Sequence, residues 1–146
     1  MARVIGIDIG TVRVGVALSD EEQMIASPLV TLGARPQTSA VREVSALVAE
    51  HEATSLIYGL PFNLDGTEGR AAKRTRRFIR ALESELDVPC VEWDERMTSV
   101  VAERTLIEAD MSRKKRKKVV DQVAATLILQ SWLDANGRKD GTTQRP

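Results

Sequence analysis

Histidine and cysteine each occur once in these 146 residues, as His51 and Cys90. A lone histidine excludes histidine triads, HExxH zinc sites and two-histidine iron sites. A lone cysteine can neither close an internal disulfide nor supply a zinc cluster, which fits a reducing compartment. Aromatic residues make up only 3% of the chain, so nucleic-acid recognition by base stacking is poorly provided for and would have to rest on backbone shape and charge. Trp93 and Trp132 read as core residues. No apolar stretch approaches the ~20 residues of a membrane span, and the first apolar run, Val4 to Ile9, is too short for a signal-peptide core and carries Asp8. The expectation is a soluble, cytoplasmic protein with no membrane partner, whose chemistry comes from carboxylates or hydroxyls.

Net charge is also missing: 21 basic residues stand against 21 acidic ones. Any attraction for a polyanion therefore depends on where the charges lie. Arg70, Lys73, Arg74, Arg76, Arg77 and Arg80 form one group, and the unbroken run Arg113-Lys114-Lys115-Arg116-Lys117-Lys118 forms another, so more than half of the basic residues fall in two short segments. The length predicts one domain, since a chain of ~150 residues buries roughly 70% of its unfolded surface. We place that domain at residues 1–137, with a disordered tail at 138–146.

The opening from Arg3 reads as a nearly continuous apolar strand ending in Gly10, a central strand buried on both faces, followed by a strand at Arg13 to Ser19 and a third at Ile25 to Leu32, interrupted near Pro28. A helix is predicted from about Thr38 to His51, with Val41, Val44, Leu47 and Val48 on one face. A strand at Ser55 to Leu60 leads into a turn-rich loop, Pro61 to Gly69. The next helix, about Arg70 to Leu86, sets Ala71, Phe78, Leu82 and Leu86 inward and Arg70, Lys73, Arg77 and Arg80 outward, a possible second basic face. A strand at Pro89 to Trp93 precedes a helix from Thr98 or Ser99 to about Ala109. The last helix runs from about Val119 to Ala135, after the basic run, with Asn136-Gly137 as its C-cap pair. This order predicts an α/β fold, a mixed five-stranded sheet with helices on both faces. Ligands of such sheets bind beyond the carboxyl ends of the parallel strands, where Asp8, Glu95 and the Pro61 loop can converge.

Asp8 carries the most information, because a carboxylate in a strand of valine, isoleucine and glycine costs several kcal/mol unless it is paired or metal-bound. The plainer alternative is that it accepts hydrogen bonds from the turn at Gly10-Thr11-Val12. Asp121 shares a helical face with Ala124, Ala125 and Ile128; its alternative is a carboxylate placed near a helix N-terminus by the dipole. Only one of the adjacent Asp94 and Glu95 can face the site from an extended segment, and we take Glu95, although the pattern alone barely separates them. Three carboxylates without histidine suit Mg²⁺ or Mn²⁺. Two such ions, roughly 3.5–4 Å apart, could activate a water and stabilise the leaving oxygen in phosphodiester hydrolysis. The basic run Arg113 to Lys118 would bind phosphate beside the metals, unless it is simply a solvated loop. Arg13 and Arg96 either orient the scissile phosphate or pair with the carboxylates.

Four motifs in order carry a resemblance over nearly the whole chain: Gly6-Ile7-Asp8-Ile9-Gly10-Thr11-Val12-Arg13-Val14-Gly15-Val16-Ala17, Gly59-Leu60-Pro61-Phe62-Asn63-Leu64-Asp65-Gly66-Thr67, Asp94-Glu95-Arg96-Met97-Thr98-Ser99, and the basic run leading into Val120-Asp121-Gln122-Val123-Ala124-Ala125. Together they resemble the YqgF/RuvX family of Holliday-junction-resolvase-like proteins, also described as pre-16S rRNA nucleases. The resemblance implies a ribonuclease H-like fold, with the catalytic, metal-binding carboxylates at Asp8, Glu95 and Asp121, and a role in maturing the 5′ end of 16S rRNA in ribosome biogenesis. Branched-DNA resolution is attributed to some members. Ser99 and Val101 depart from the pattern, where threonine and an acid are common.

The implied partner is structured precursor rRNA or branched DNA, bound by a monomer or a homodimer. Junction resolution needs two paired cuts and hence a dimer, whereas trimming an RNA end does not. Two rivals stand beside the nuclease. Asp8-Ile9-Gly10-Thr11 also resembles the first phosphate loop of actin-like ATP-using proteins, which need two such domains. A noncatalytic RNA- or ribosome-binding module would keep the fold without the chemistry.

Overall fold

Strand β1 (Val4–Ile9) is buried along its whole length, as its unbroken apolar run predicts for a strand covered on both sides. In the computed structural model, which describes residues 2–97 and 113–136 and the side chains of all of these except 113–121, β1 is the middle strand of a five-stranded sheet ordered β3-β2-β1-β4-β5. β2 (Arg13–Ser19) and β3 (Ala26–Gly33) continue from it as an antiparallel meander. Gly10 N–H donates to the Arg13 carbonyl at 2.9 Å to close the first hairpin. The interruption expected near Pro28 is a register shift: Val16 pairs with Val30 but Ala17 with Pro28. The edge position of β3 tolerates a proline that cannot donate to a ladder.

On the other side of β1, β4 (Ser55–Leu60) and β5 (Cys90–Asp94) are parallel to it and to each other. Two crossover helices produce that arrangement: α1 (Gln37–Glu50) returns the chain to β4, and α2 (Arg70–Glu83) returns it to β5. Both cover the same face. Ile5, Ile7 and Ile9 of β1 meet Val41 and Val44 of α1 and Phe78, Ile79 and Leu82 of α2 there.

The opposite face belongs to α3 (Arg113–Asn136). Val4, Ala17 and Ile57 pack against Ala124, Ala125, Ile128, Leu129 and Leu133. Ile128 and Leu129 are fully buried, each contributing about 1.5–3 kcal/mol relative to exposure. Gly6 permits this approach: a Cβ there would lie 2.7 Å from Leu129 Cβ. Trp93 and Trp132 pack partly buried against this cluster, as expected of core residues.

Three sequence expectations need correction. α2 ends at Glu83, because its last turn closes early: Glu85 and Leu86 N–H both donate to the Leu82 carbonyl. Its inward face is Ala72, Thr75, Phe78, Ile79 and Leu82, with Ala71 only half-buried and Leu86 packed at the core margin. α3 starts six residues before Val119 and takes the whole basic run into its first turns; lysine and arginine are good helix formers even where no apolar period marks them. The helix expected from Thr98 or Ser99 to Ala109 and the tail at 138–146 lie outside the described residues.

Candidate active site at the carboxyl edge of the sheet

Asp8 is 5% exposed. Alternation along β1 puts it on the α3 side, with Val4 and Gly6, and its Cα partner across the hairpin is Gly15. β1 and β4 pair up to Ile7 and Tyr58, so the next step sets Asp8 level with Gly59. β4 and β5 pair Gly59 with Trp93 and Leu60 with Asp94, after which Glu95 opens a short 3₁₀ turn, Glu95–Met97.

Glu95 then folds back over β4. A Cβ built on Gly59 would lie 2.9 Å from Glu95 Oε2, 2.9 Å from its Cγ and 2.5 Å from Ile128 Cδ1. The bare glycine is the floor on which the Glu95 carboxylate rests, on the α3 side and about 4.8 Å, one strand spacing, from β1. Asp8 and Glu95 are thus brought to one face at one edge. Sequence reasoning passed over Gly59, although a glycine inside a buried strand is a signal of close approach.

Asp94 takes another course. It accepts from Arg96 Nε at 3.1 Å and Nη2 at 2.8 Å, and from the Arg96 backbone N–H at 2.9 Å. The Arg96 hydrogen bonds hold its carboxyl below the usual aspartate range. Arg96 also lies over the Phe62 ring, 5.1 Å from its centroid. Of the two roles left open for Arg96, it pairs with Asp94. Arg13 begins β2 two residues from Gly15, so alternation sets it on the Asp8 side.

The 61–67 loop on this rim is braced: Asn63 N–H donates to the Thr67 carbonyl at 2.8 Å, and Thr67 Oγ1 donates to Asp65 at 2.6 Å. That hydroxyl bond keeps the Asp65 carboxyl low, and Gly66 turns the loop at φ 89°. Cys90 is half-buried at the start of β5, and burial pushes its thiol up to about 11, so it is no nucleophile at neutral pH.

Asp121 is the ninth residue of α3. Its side chain, and those of Arg113, Lys114, Lys115, Arg116, Lys117 and Lys118, lie outside the described residues. The helix direction is nevertheless set. Gln130 bonds Ala26 and Met24 beside the amino end of β1, whereas Ile128 lies over Gly59, so α3 runs back toward the carboxyl edge as it approaches residue 121. A helix-dipole role for Asp121 no longer fits, since that effect fades within the first turn. Arg70, Lys73, Arg77 and Arg80 are all exposed, on the α1/α2 side of the sheet. Among the described residues no group of three potential metal ligands gathers, and no helix is long and apolar enough to cross a membrane.

A protein of Myxococcus xanthus named "Putative pre-16S rRNA nuclease" is 43% identical over 138 residues, covering 94% of this chain and 91% of its own. A protein of Cereibacter sphaeroides with the same name is 47% identical over 130 residues, covering 89% and 81%. Among solved structures, Thermus thermophilus RuvC in complex with a Holliday junction substrate superposes with a TM-score of 0.62 over 94% of this chain and 99% of that one, at 12% identity. That likeness identifies the fold, an α/β ribonuclease H-like sheet. A family profile described as RuvX, Holliday junction resolvase, matches residues 2–135, and with it this chain belongs to the RuvX family of nucleases.

Proposed function

We propose that the chain is a metal-dependent nuclease that hydrolyses phosphodiester bonds and processes the 5′ end of pre-16S rRNA in the cytoplasm, with Asp8, Glu95 and Asp121 as its catalytic carboxylates. The nuclease class follows from the family, and the rRNA substrate rests on the name its relatives carry. The observation that carries the site is the Glu95 carboxylate laid on bare Gly59, on the face where Asp8 closes β1. Carboxylate oxygen, with no cysteine sulfur or imidazole beside it among the described residues, is the donor chemistry of a hard divalent ion. Asp8, Glu95 and Asp121 would hold one or two Mg²⁺ or Mn²⁺ ions, which when bound lower the pKa of a water and stabilise a leaving oxygen.

The chain's own groups orient the substrate. Arg13, on the Asp8 side of the rim, is placed to hold the scissile phosphate. Arg96, paired with Asp94 and lying over Phe62, braces the opposite rim. The six cations Arg113 to Lys118, wound on the first turns of α3, approach the same edge and suit backbone phosphates. One domain over residues 1–137 suffices for end-trimming as a monomer, whereas cutting a four-way junction would require a homodimer.

The test sets wild type beside Asp8→Asn, each with labelled precursor 16S rRNA and a labelled four-way DNA junction, in Mn²⁺, Mg²⁺ or EDTA. Expected is metal-dependent cutting of the rRNA, lost in the variant by more than the about 10–100-fold that removing an outer-shell partner of a metal costs. Preferential cutting of the junction would move the substrate to branched DNA. No cutting of either, with binding unchanged in Asp8→Asn, would leave a noncatalytic RNA-binding module.

A further inference from the structure

We infer that the outer face of α2 is a second binding surface for the phosphodiester backbone of the substrate, receiving the strand as it leaves the candidate active site past the β5 side of the sheet. This rests on the nuclease reading and adds a place to it. Arg70, Lys73, Arg77 and Arg80 follow one another at i, i+3, i+7 and i+10, which is one face of a helix. All four are exposed, and among the described residues none of them enters a salt bridge.

Arg76, on the flank of the same helix, shows what a structural arginine does here: it binds Glu68 at 2.7 Å and Glu92 of β5 at 3.1 Å. Among the described residues the outer stripe makes no such close pairs, Lys73 acting on Glu68 only at longer range, and its members neighbour one another at i+3 and i+4, a like-charge arrangement that destabilises a helix. A polyanion laid along the stripe relieves that repulsion.

Position supports the same occupant. The amino end of α2 follows the braced 61–67 loop at the carboxyl edge, where Arg96 stands; a Cβ on Gly66 of that loop would lie 3.6 Å from Arg96 Nη1. From Arg70 to Arg80 the stripe covers about 15 Å of helix axis. Because α2 and α3 cover opposite faces of the sheet, this surface is separate from the basic run on α3.

The decisive comparison uses Lys73→Gln/Arg77→Gln and two lengths of the precursor rRNA, one ending just beyond the cleavage position and one extending further than α2 is long. The substitution relieves repulsion, so the variant keeps its fold, as an unchanged or higher Tm will show. Expected is a KM raised about tenfold on the long RNA with kcat unchanged, no change on the short RNA, and a salt slope of binding to the long RNA reduced by about 1.4, or 0.7 per cation on a single strand. Equal behaviour of variant and wild type on the long RNA would overturn the inference. If wild type cuts neither RNA, the nuclease reading fails, and the binding slope alone decides: unchanged, it overturns the α2 surface; reduced, it upholds it.

Discussion

Asp8 stands out in one dimension because every neighbour in its strand is apolar or glycine, and the structure keeps it 5% exposed. Glu95 and Asp94 do not separate in one dimension, since both follow an apolar strand and both are acids. They separate through partners: Asp94 is taken by Arg96, while Glu95 lies on Gly59. Gly59→Ala should therefore displace Glu95 from the sheet and press on Ile128. We expect about 1–3 kcal/mol lost in a urea titration, and cleavage reduced at least about tenfold, or 1.4 kcal/mol in barrier. Adding Ile128→Val should restore stability without restoring cleavage; recovery of both would show that the glycine serves packing alone. The Asp94–Arg96 pair makes a pH prediction. Its folded pKa lies below the ordinary 3.8, so its contribution is fully present above that pH and is lost as pH falls through the folded value. Solvent screening keeps that contribution small. Wild type should exceed Asp94→Asn by that small margin at neutral pH, the gap closing only in acid.

The elements with a clear apolar period were readable to within a residue or two: β4 runs over Ser55–Leu60 as expected, and α1 is shifted by one residue. The start of α3 was not readable, because a run of six cations has no apolar face to reveal a helical period although each residue favours helix. The inward face of α2 was misjudged for a related reason, as Thr75 is carried fully into the core by its neighbours. What anchors α3 lengthwise is Gln130, whose Oε1 accepts from Ala26 N–H at 2.8 Å and whose Nε2 donates to the Met24 carbonyl at 3.0 Å. Removing both bonds with Gln130→Leu should cost about 1–3 kcal/mol. Hydrogen exchange at the Ala26 amide should accelerate more than at β4 amides; uniform acceleration would mean that Gln130 contributes only to global stability.

Across the whole molecule, two carboxylates from distant parts of the chain are brought to the α3 side of the sheet at its carboxyl edge. Carboxylate oxygens are the donors that a hard divalent ion takes, and an ion bound only by the native state adds to its stability. Mg²⁺ should raise the Tm of the wild type, the added stability growing as RT ln(1 + [Mg²⁺]/Kd), while Asp8→Asn should hardly respond. An equal Mg²⁺ response in both proteins would remove Asp8 from the metal site. Composition and local pattern narrowed the chemistry and set the fold class: one histidine and one cysteine exclude multi-histidine and multi-cysteine metal sites, and the alternation of strands and helices forces a mixed sheet. Which side chains meet belongs to the fold. β4 is inserted between β1 and β5, and the pleat sends Asp8 to the α3 side and Glu92, which pairs with Arg76, to the α2 side. Propensity and period act over a few residues, whereas strand neighbours and the faces that helices cover are set by crossovers and by burial summed over the entire chain.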